Sequence, residues 1–166
     1  SGFVELLPEK QYIFDEIKSI VEKSYKNAGF VSIDTPTIEK SEVLFAKAGG
    51  ETEKQVYRFT KGDNDLSLRF DLTVPFARYV SEHYADLVFP FKRYQIGKVY
   101  RGERAQKGRY REFYQADFDI VSENNLSIMY DVEIISTIIK TISNLSNKFG
   151  LGNFKIRVSN RKIWDG

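Results

Sequence analysis

The segment from Gly97 to Asp119, GKVYRGERAQKGRYREFYQADFD, restricts the fold of this chain more than any other. Polar side chains recur at every second position on both sides of a short basic stretch, which is the period of an extended strand and not of a helix. Arg101 and Glu103 then share one face of a first strand, and Arg109, Phe113, Gln115, Asp117 and Asp119 share one face of a second. A loop over residues 104–108 joins the two into a hairpin longer than the two-residue kind. Paired in register, the strands offer guanidinium, aromatic, amide and carboxylate groups on one surface, a mixture suited to phosphate, ring stacking and N–H capture. Spacing alone also fits a solvated hairpin face with cross-strand salt bridges.

The remaining pattern frames that hairpin. Apolar residues at Ile13, Ile17, Ile20, Val21, Tyr25 and Ala28 predict a helix over 8–28, with Gly29 placed to end it in a left-handed cap. Residues 30–35 alternate as a strand that Pro36 ends. A short helix is expected over 41–48, stopped by Gly49 and Gly50, and strands at 56–60 and 66–70 flank the turn-prone Lys61-Gly62-Asp63-Asn64. Residues 73–82 read as a helix that tolerates Pro75 in its first turn. A long helix from about 126 to 149 carries Ile134, Ile135, Ile138, Ile139 and Ile142 as core, and a last strand is expected at 154–158. Hairpins between two long helices predict an α+β domain with a mainly antiparallel sheet.

Composition narrows the chemistry. With 166 residues and 42% hydrophobic content the chain supports one sizeable core, and no apolar run approaches the roughly 18 residues of a membrane span. Nothing in it reads as a signal peptide, and the absence of cysteine rules out disulfides and thiolate metal sites, which fits a cytoplasmic protein. The single histidine, His83, precludes a multi-histidine metal site and reads as the exposed end of a helix. Net charge is only +2, but Lys98, Arg101, Arg104, Lys107, Arg109 and Arg111 face only Glu103 and Glu112 locally. Such a field suits triphosphate or an RNA end.

The order Arg-x-Glu, loop, Arg-x-x-x-Phe-x-x-x-Asp resembles motif 2 of the class II aminoacyl-tRNA synthetases, and ERAQKGRYREFYQADFDI is similar to that of the histidyl-tRNA synthetases. GFVSIDTPTIE, near 29–39, resembles motif 1, and LRFDLTVPFARY, at 68–79, resembles the family's amino-acid-binding segment. The opening Gly2-Phe3 with Leu6-Leu7-Pro8 also looks like the family's start. Resemblance therefore covers 1–166 as part of a class II catalytic domain, without motif 3, the Arg-Gly-Leu-Asp-Tyr-Tyr segment or the anticodon-binding domain.

The resemblance implies the class II synthetase fold, likeness to a homodimer with Phe30 and Pro36 at the interface, and activation of L-histidine with ATP before transfer to tRNA(His). By the matching positions, Arg101 would be the catalytic cation bridging α-phosphate and carboxylate, Glu103 would accept from the adenine amino group, Phe113 would stack on adenine, and Arg109 would meet the outer phosphates. Asp71 and Gln115 would hold the α-ammonium beside Thr73 and the Leu72 backbone, and Asp119 would accept an imidazole N–H. Mg2+ would arrive with ATP, with no metal site made by protein alone. Two other readings use the same fold: a regulatory relative of the kind found in ATP phosphoribosyltransferase or a stress-response kinase, and a general RNA-binding module.

Overall fold

The computed structural model describes residues 2–46 and 53–159. Helix α1 (Pro8–Asn27) opens on a proline, whose missing N–H has no intrahelical acceptor in a first turn, and its exit is turned by Gly29 at φ +81°. The chain then extends through β1 (Val31–Ser32), crosses at Thr35 and Pro36, and forms β2 (Ile38–Lys40) and α2 (Ser41–Phe45). The expected stop at Gly49 and Gly50 lies outside the described residues. Strands β3 (Arg58–Lys61) and β4 (Asn64–Leu68) form the anticipated hairpin, followed by α3 (Thr73–Glu82). Strands β5 (Phe91–Tyr100) and β6 (Glu112–Val121) precede α4 (Met129–Phe149).

Two three-stranded sheets result, β1-β5-β6 and β2-β4-β3. Pairing is antiparallel except where β1 runs parallel to β5, with Val31 opposite Arg93. The β5–β6 ladder sorts side chains by parity. Tyr94 and Ile96 with Phe118 and Ile120 pack on the helical side, against Val21, Tyr25 and Phe30, with Ile134 and Leu145 of α4 beside them. Tyr25 is held there by donating its hydroxyl to Ala116 O at 3.1 Å, and burial pushes its phenol up to about 12. The opposite face carries Arg93, Gln95, Gly97 and Val99 against Asp119, Asp117, Gln115 and Phe113.

Several expectations need correction. The β5–β6 connection spans 101–111, because after Arg101 N–H reaches Arg111 O at 2.9 Å the next amide, Gly102, donates instead to Gln55 O at 2.7 Å. Arg109 therefore sits in the loop, not on β6: it closes a tight turn with Gln106 in which Gly108 takes φ +80°. The strand expected at 30–35 pairs only at Val31 and Ser32. No strand forms at 154–158, for no strand among the described residues pairs with it. On α4 the buried positions are Thr137 and Thr141, while Ile139 is exposed.

Candidate functional site

One wall of the site is the start of the β5–β6 connection. Arg101, Glu103, Gly108, Arg109, Tyr110 and Phe113 line an open cavity of about 410 Å3. The Arg101 guanidinium lies 4.5 Å from the Phe70 ring centre and 5.0 Å from that of Phe113, and its Nε donates to Phe70 O at 3.3 Å. Two rings and a carbonyl thus fix a half-buried cation in place. Glu103 pairs with Arg109 at 3.3 Å across the cavity mouth. Outside it the basic field is partly balanced, since Lys98 pairs with Glu112 at 2.7 Å.

The other wall is the polar face of the ladder, with the turn into α3 nearby. Asp71 Oδ1 accepts the Val74 N–H at 3.0 Å, tying one carboxylate oxygen to the first turn of α3. Leu72 is fully buried, and Thr73 stands exposed as the first helical residue. Gln115 donates weakly to Asp117 at 3.4 Å, while its Oε1 is buried without a hydrogen-bond partner among the described residues. Burial pushes the Asp117 carboxyl above the usual carboxylate range, with Asp119 and Asp71 adding to the rise and Arg93 and Arg101 opposing it. Asp119 meets Arg93 at 2.5 Å.

The predicted residues Arg101, Glu103, Arg109 and Phe113 thus line one cavity, and Asp117 feels Asp71 and Asp119 on one side of its balance and Arg101 on the other. The two interface candidates separate. Phe30 is 3% exposed and stacks edge-on against Phe118 within its own core, whereas Pro36 is exposed. Three buried polar residues were not anticipated: Arg93, Gln95 and Arg69. The signal for Arg93 and Gln95 was the parity of Arg101 carried backward through Val99 and Gly97, which required starting the strand at Phe91 instead of Gly97; Arg69, just after β4, carried no such signal.

The profile of histidyl-tRNA synthetase matches residues 2–166. The chain belongs to the histidyl-tRNA synthetase family. It is 59% identical to the histidine–tRNA ligase of Clostridium tetani, covering 99% of this chain and 37% of that protein. Among solved structures it is similar to histidyl-tRNA synthetase from Nostoc sp. PCC 7120, with a TM-score of 0.77 and 36% identity over 86% of this chain and 33% of the other. It is also similar to an ATP phosphoribosyltransferase regulatory subunit/histidyl-tRNA synthetase from Bacillus halodurans C, with a TM-score of 0.76 and 27% identity over 93% and 38% of the two chains. The class II catalytic fold expected from the family is therefore present, and this chain spans little more than a third of the length of its curated relatives.

Proposed function

We propose that this chain supplies the ATP- and histidine-binding face of a histidine–tRNA ligase that activates L-histidine to histidyl-adenylate and transfers it to tRNA(His). The observation that carries this reading is the cavity in which Arg101, Glu103, Arg109 and Phe113 converge. Joining a carboxylate to an anionic α-phosphate is opposed by like charge, so the site needs a fixed cation where negative charge accumulates. Arg101 is such a cation, and its planar fork can bridge oxygens of both reactants. Phe113 stacks adenine, Glu103 accepts from its amino group, and Arg109 meets the outer phosphates.

On the amino-acid side, Asp71 and Gln115 hold the α-ammonium beside Thr73 and the Leu72 backbone, and Asp119 accepts from the ring. Among the described residues no cluster of three or more His, Cys, Asp or Glu is arranged to hold a metal ion. Mg2+ is proposed to arrive with the phosphates of ATP. No described helix is long and apolar enough to cross a membrane. A cytoplasmic location is proposed from the family resemblance. A homodimer is proposed with Pro36 at the contact, where exposed Val31 and Ile38 flank it and Phe30 supports the segment from inside.

The test is Arg101→Ala in the chain extended to the full length of its relatives. Histidine-dependent ATP–pyrophosphate exchange should fall by about 3–4 kcal/mol of barrier, several hundredfold, with the fold intact. Near-normal exchange in a folded variant refutes the assignment. The likeness to the Bacillus halodurans protein supports a second reading, a regulatory domain that binds histidine without activating it; that reading predicts histidine binding and no exchange before any substitution.

A further inference from the structure

Beneath the proposed histidine subsite lies a charge that the reaction does not call for. Arg93 is completely buried, yet it points its guanidinium at the polar face of the ladder, with Nη2 2.5 Å from Asp119 Oδ2 and Cζ 4.1 Å from the Phe76 ring centre. The contact lacks hydrogen-bond geometry: Nε, Nη1 and Nη2 of Arg93, and Oδ2 of Asp119, have no hydrogen-bond partner among the described residues. Burial depresses the Arg93 pKa, against the pull of Asp119 and Asp117. A guanidinium in that setting is costly unless it does something for its neighbours.

Its neighbour is placed to transmit an effect. The Asp119 side chain is 40% exposed, so this carboxylate reaches from the buried guanidinium toward the open face. We propose that Arg93 is a positioning residue of the histidine subsite, orienting Asp119 and offsetting its charge so that the pocket selects the neutral imidazole ring over the protonated one. The inference rests on the assignment of Asp119 to the substrate ring. A carboxylate whose charge is already engaged by a guanidinium still accepts an N–H, but it draws a second proton onto the ring far less than a free one does.

Asp117 on β6 is the other acid that acts on Arg93, and Asp117 in turn feels Asp119, Asp71 before α3 and Arg101 just past the end of β5. On the far side of Gln95, Asp34 is occupied by the Gln95 amide at 3.0 Å and by Arg69 at 3.6 Å. Removing Arg93 leaves Arg101 as the cation acting on Asp117, with Asp71 and Asp119 beside it, and that surplus of acid favours imidazolium.

The experiment measures L-histidine binding by calorimetry at pH 5.5 and pH 8, on either side of the imidazole pKa of about 6.5, in the chain extended to its relatives' full length. The ratio of Kd at the lower pH to Kd at the higher should fall several-fold in Arg93→Met, about fivefold where the bound ring rises by one pKa unit to its free value. Arg93→Lys retains the charge and should retain the ratio, with weaker binding throughout. An unchanged ratio in a folded Arg93→Met protein overturns the proposal. Should that variant not fold, 15N NMR of ring-labelled histidine bound to the unaltered protein decides. A bound ring titrating below its free value supports the proposal, and one titrating above it overturns it. Asp119→Asn separates the two layers: unchanged histidine affinity there removes the underlying assignment, and the proposal with it, whereas weakened affinity together with an insensitive Arg93→Met ratio removes the proposal alone.

Discussion

Replacing Gly97 by alanine tests whether the site's floor is built as described. A Cβ at this position would stand 2.5 Å from Arg69 Nη2 and 3.3 Å from Arg69 Cζ, so one side has to yield by roughly 1 Å. Arg69 is not free to swing aside. It is 4% exposed, with Nε donating to Lys98 O and Nη1 to Thr35 O, both at 2.7 Å. A shift of that size takes either bond beyond hydrogen-bonding range, and a charged donor bond is worth about 1.5–3 kcal/mol. The alternative is to spread the strands, an overpacking cost of about 1–3 kcal/mol. The cheaper route sets the outcome, about 1–3 kcal/mol, which at about 2–4 °C per kcal/mol for a chain of this size lowers Tm by roughly 2–12 °C. Thermal and urea unfolding read this directly. Because Tyr100 N–H donates to Arg69 O and Arg101 Nε to Phe70 O, exchange activity should fall as well. In an Arg69→Met background the cost of Gly97→Ala should largely vanish. A cost that persists undiminished there would show that the glycine is needed for some other reason.

Two further outcomes follow from the same face. Burial raises the Asp117 pKa, so the folded state binds that proton more tightly than the unfolded chain and stability falls as pH rises through the interval above the ordinary carboxylate value; Asp117→Asn should therefore raise Tm at pH 7, with the gain fading toward about pH 4, and a lower Tm at pH 7 would contradict it. The 166 residues alone should bind ATP weakly by calorimetry and give little or no histidine-dependent pyrophosphate exchange, since binding groups without the rest of the charge clamp give occupancy without rate; exchange at the level of a full-length relative would overturn this.

Helices were the most legible part of the sequence. The expected helix at 73–82 is α3 residue for residue, and α1 ends one residue short of Ala28, because helical spacing and punctuation by Pro8 and Gly29 are local signals. Strand alternation is a weaker guide, since it reports a capacity to pair and not a partner. Residues 154–158 alternate without pairing among the described residues, and 30–35 alternate while forming only the two ladder positions of β1. The residues that line the cavity were named through a resemblance, since spacing alone left their roles open. Arg69 was missed because nothing local marks it as buried, and Arg93 because parity assigns it a face of β5 without saying that the face is closed over. Their burial is set by Gly97 leaving room for one and by Phe76 and Asp119 enclosing the other, contacts made across elements distant in sequence.

The charges of the cavity are engaged with one another, and this bears on what ATP binding must cost. Glu103 and Arg109 pair at 3.3 Å, yet the proposed function sends Glu103 to the adenine amino group and Arg109 to the outer phosphates, which lie at opposite ends of the nucleotide. If those roles hold, the two cannot serve ATP while holding each other, and the proposed binding mode requires that pair to break. Arg109 is 66% exposed, and a pair so open to water is worth at most about 1 kcal/mol, a small toll. Arg101 faces a different balance, because its stacking on Phe70 and Phe113 and its bond to Phe70 O leave its charge without an anion among those partners. On the proposed assignment, the cation for the α-phosphate is held in orientation by two rings and a carbonyl, with Asp117 as the acid that feels its charge, while the cation for the outer phosphates rests on a partner it can leave cheaply.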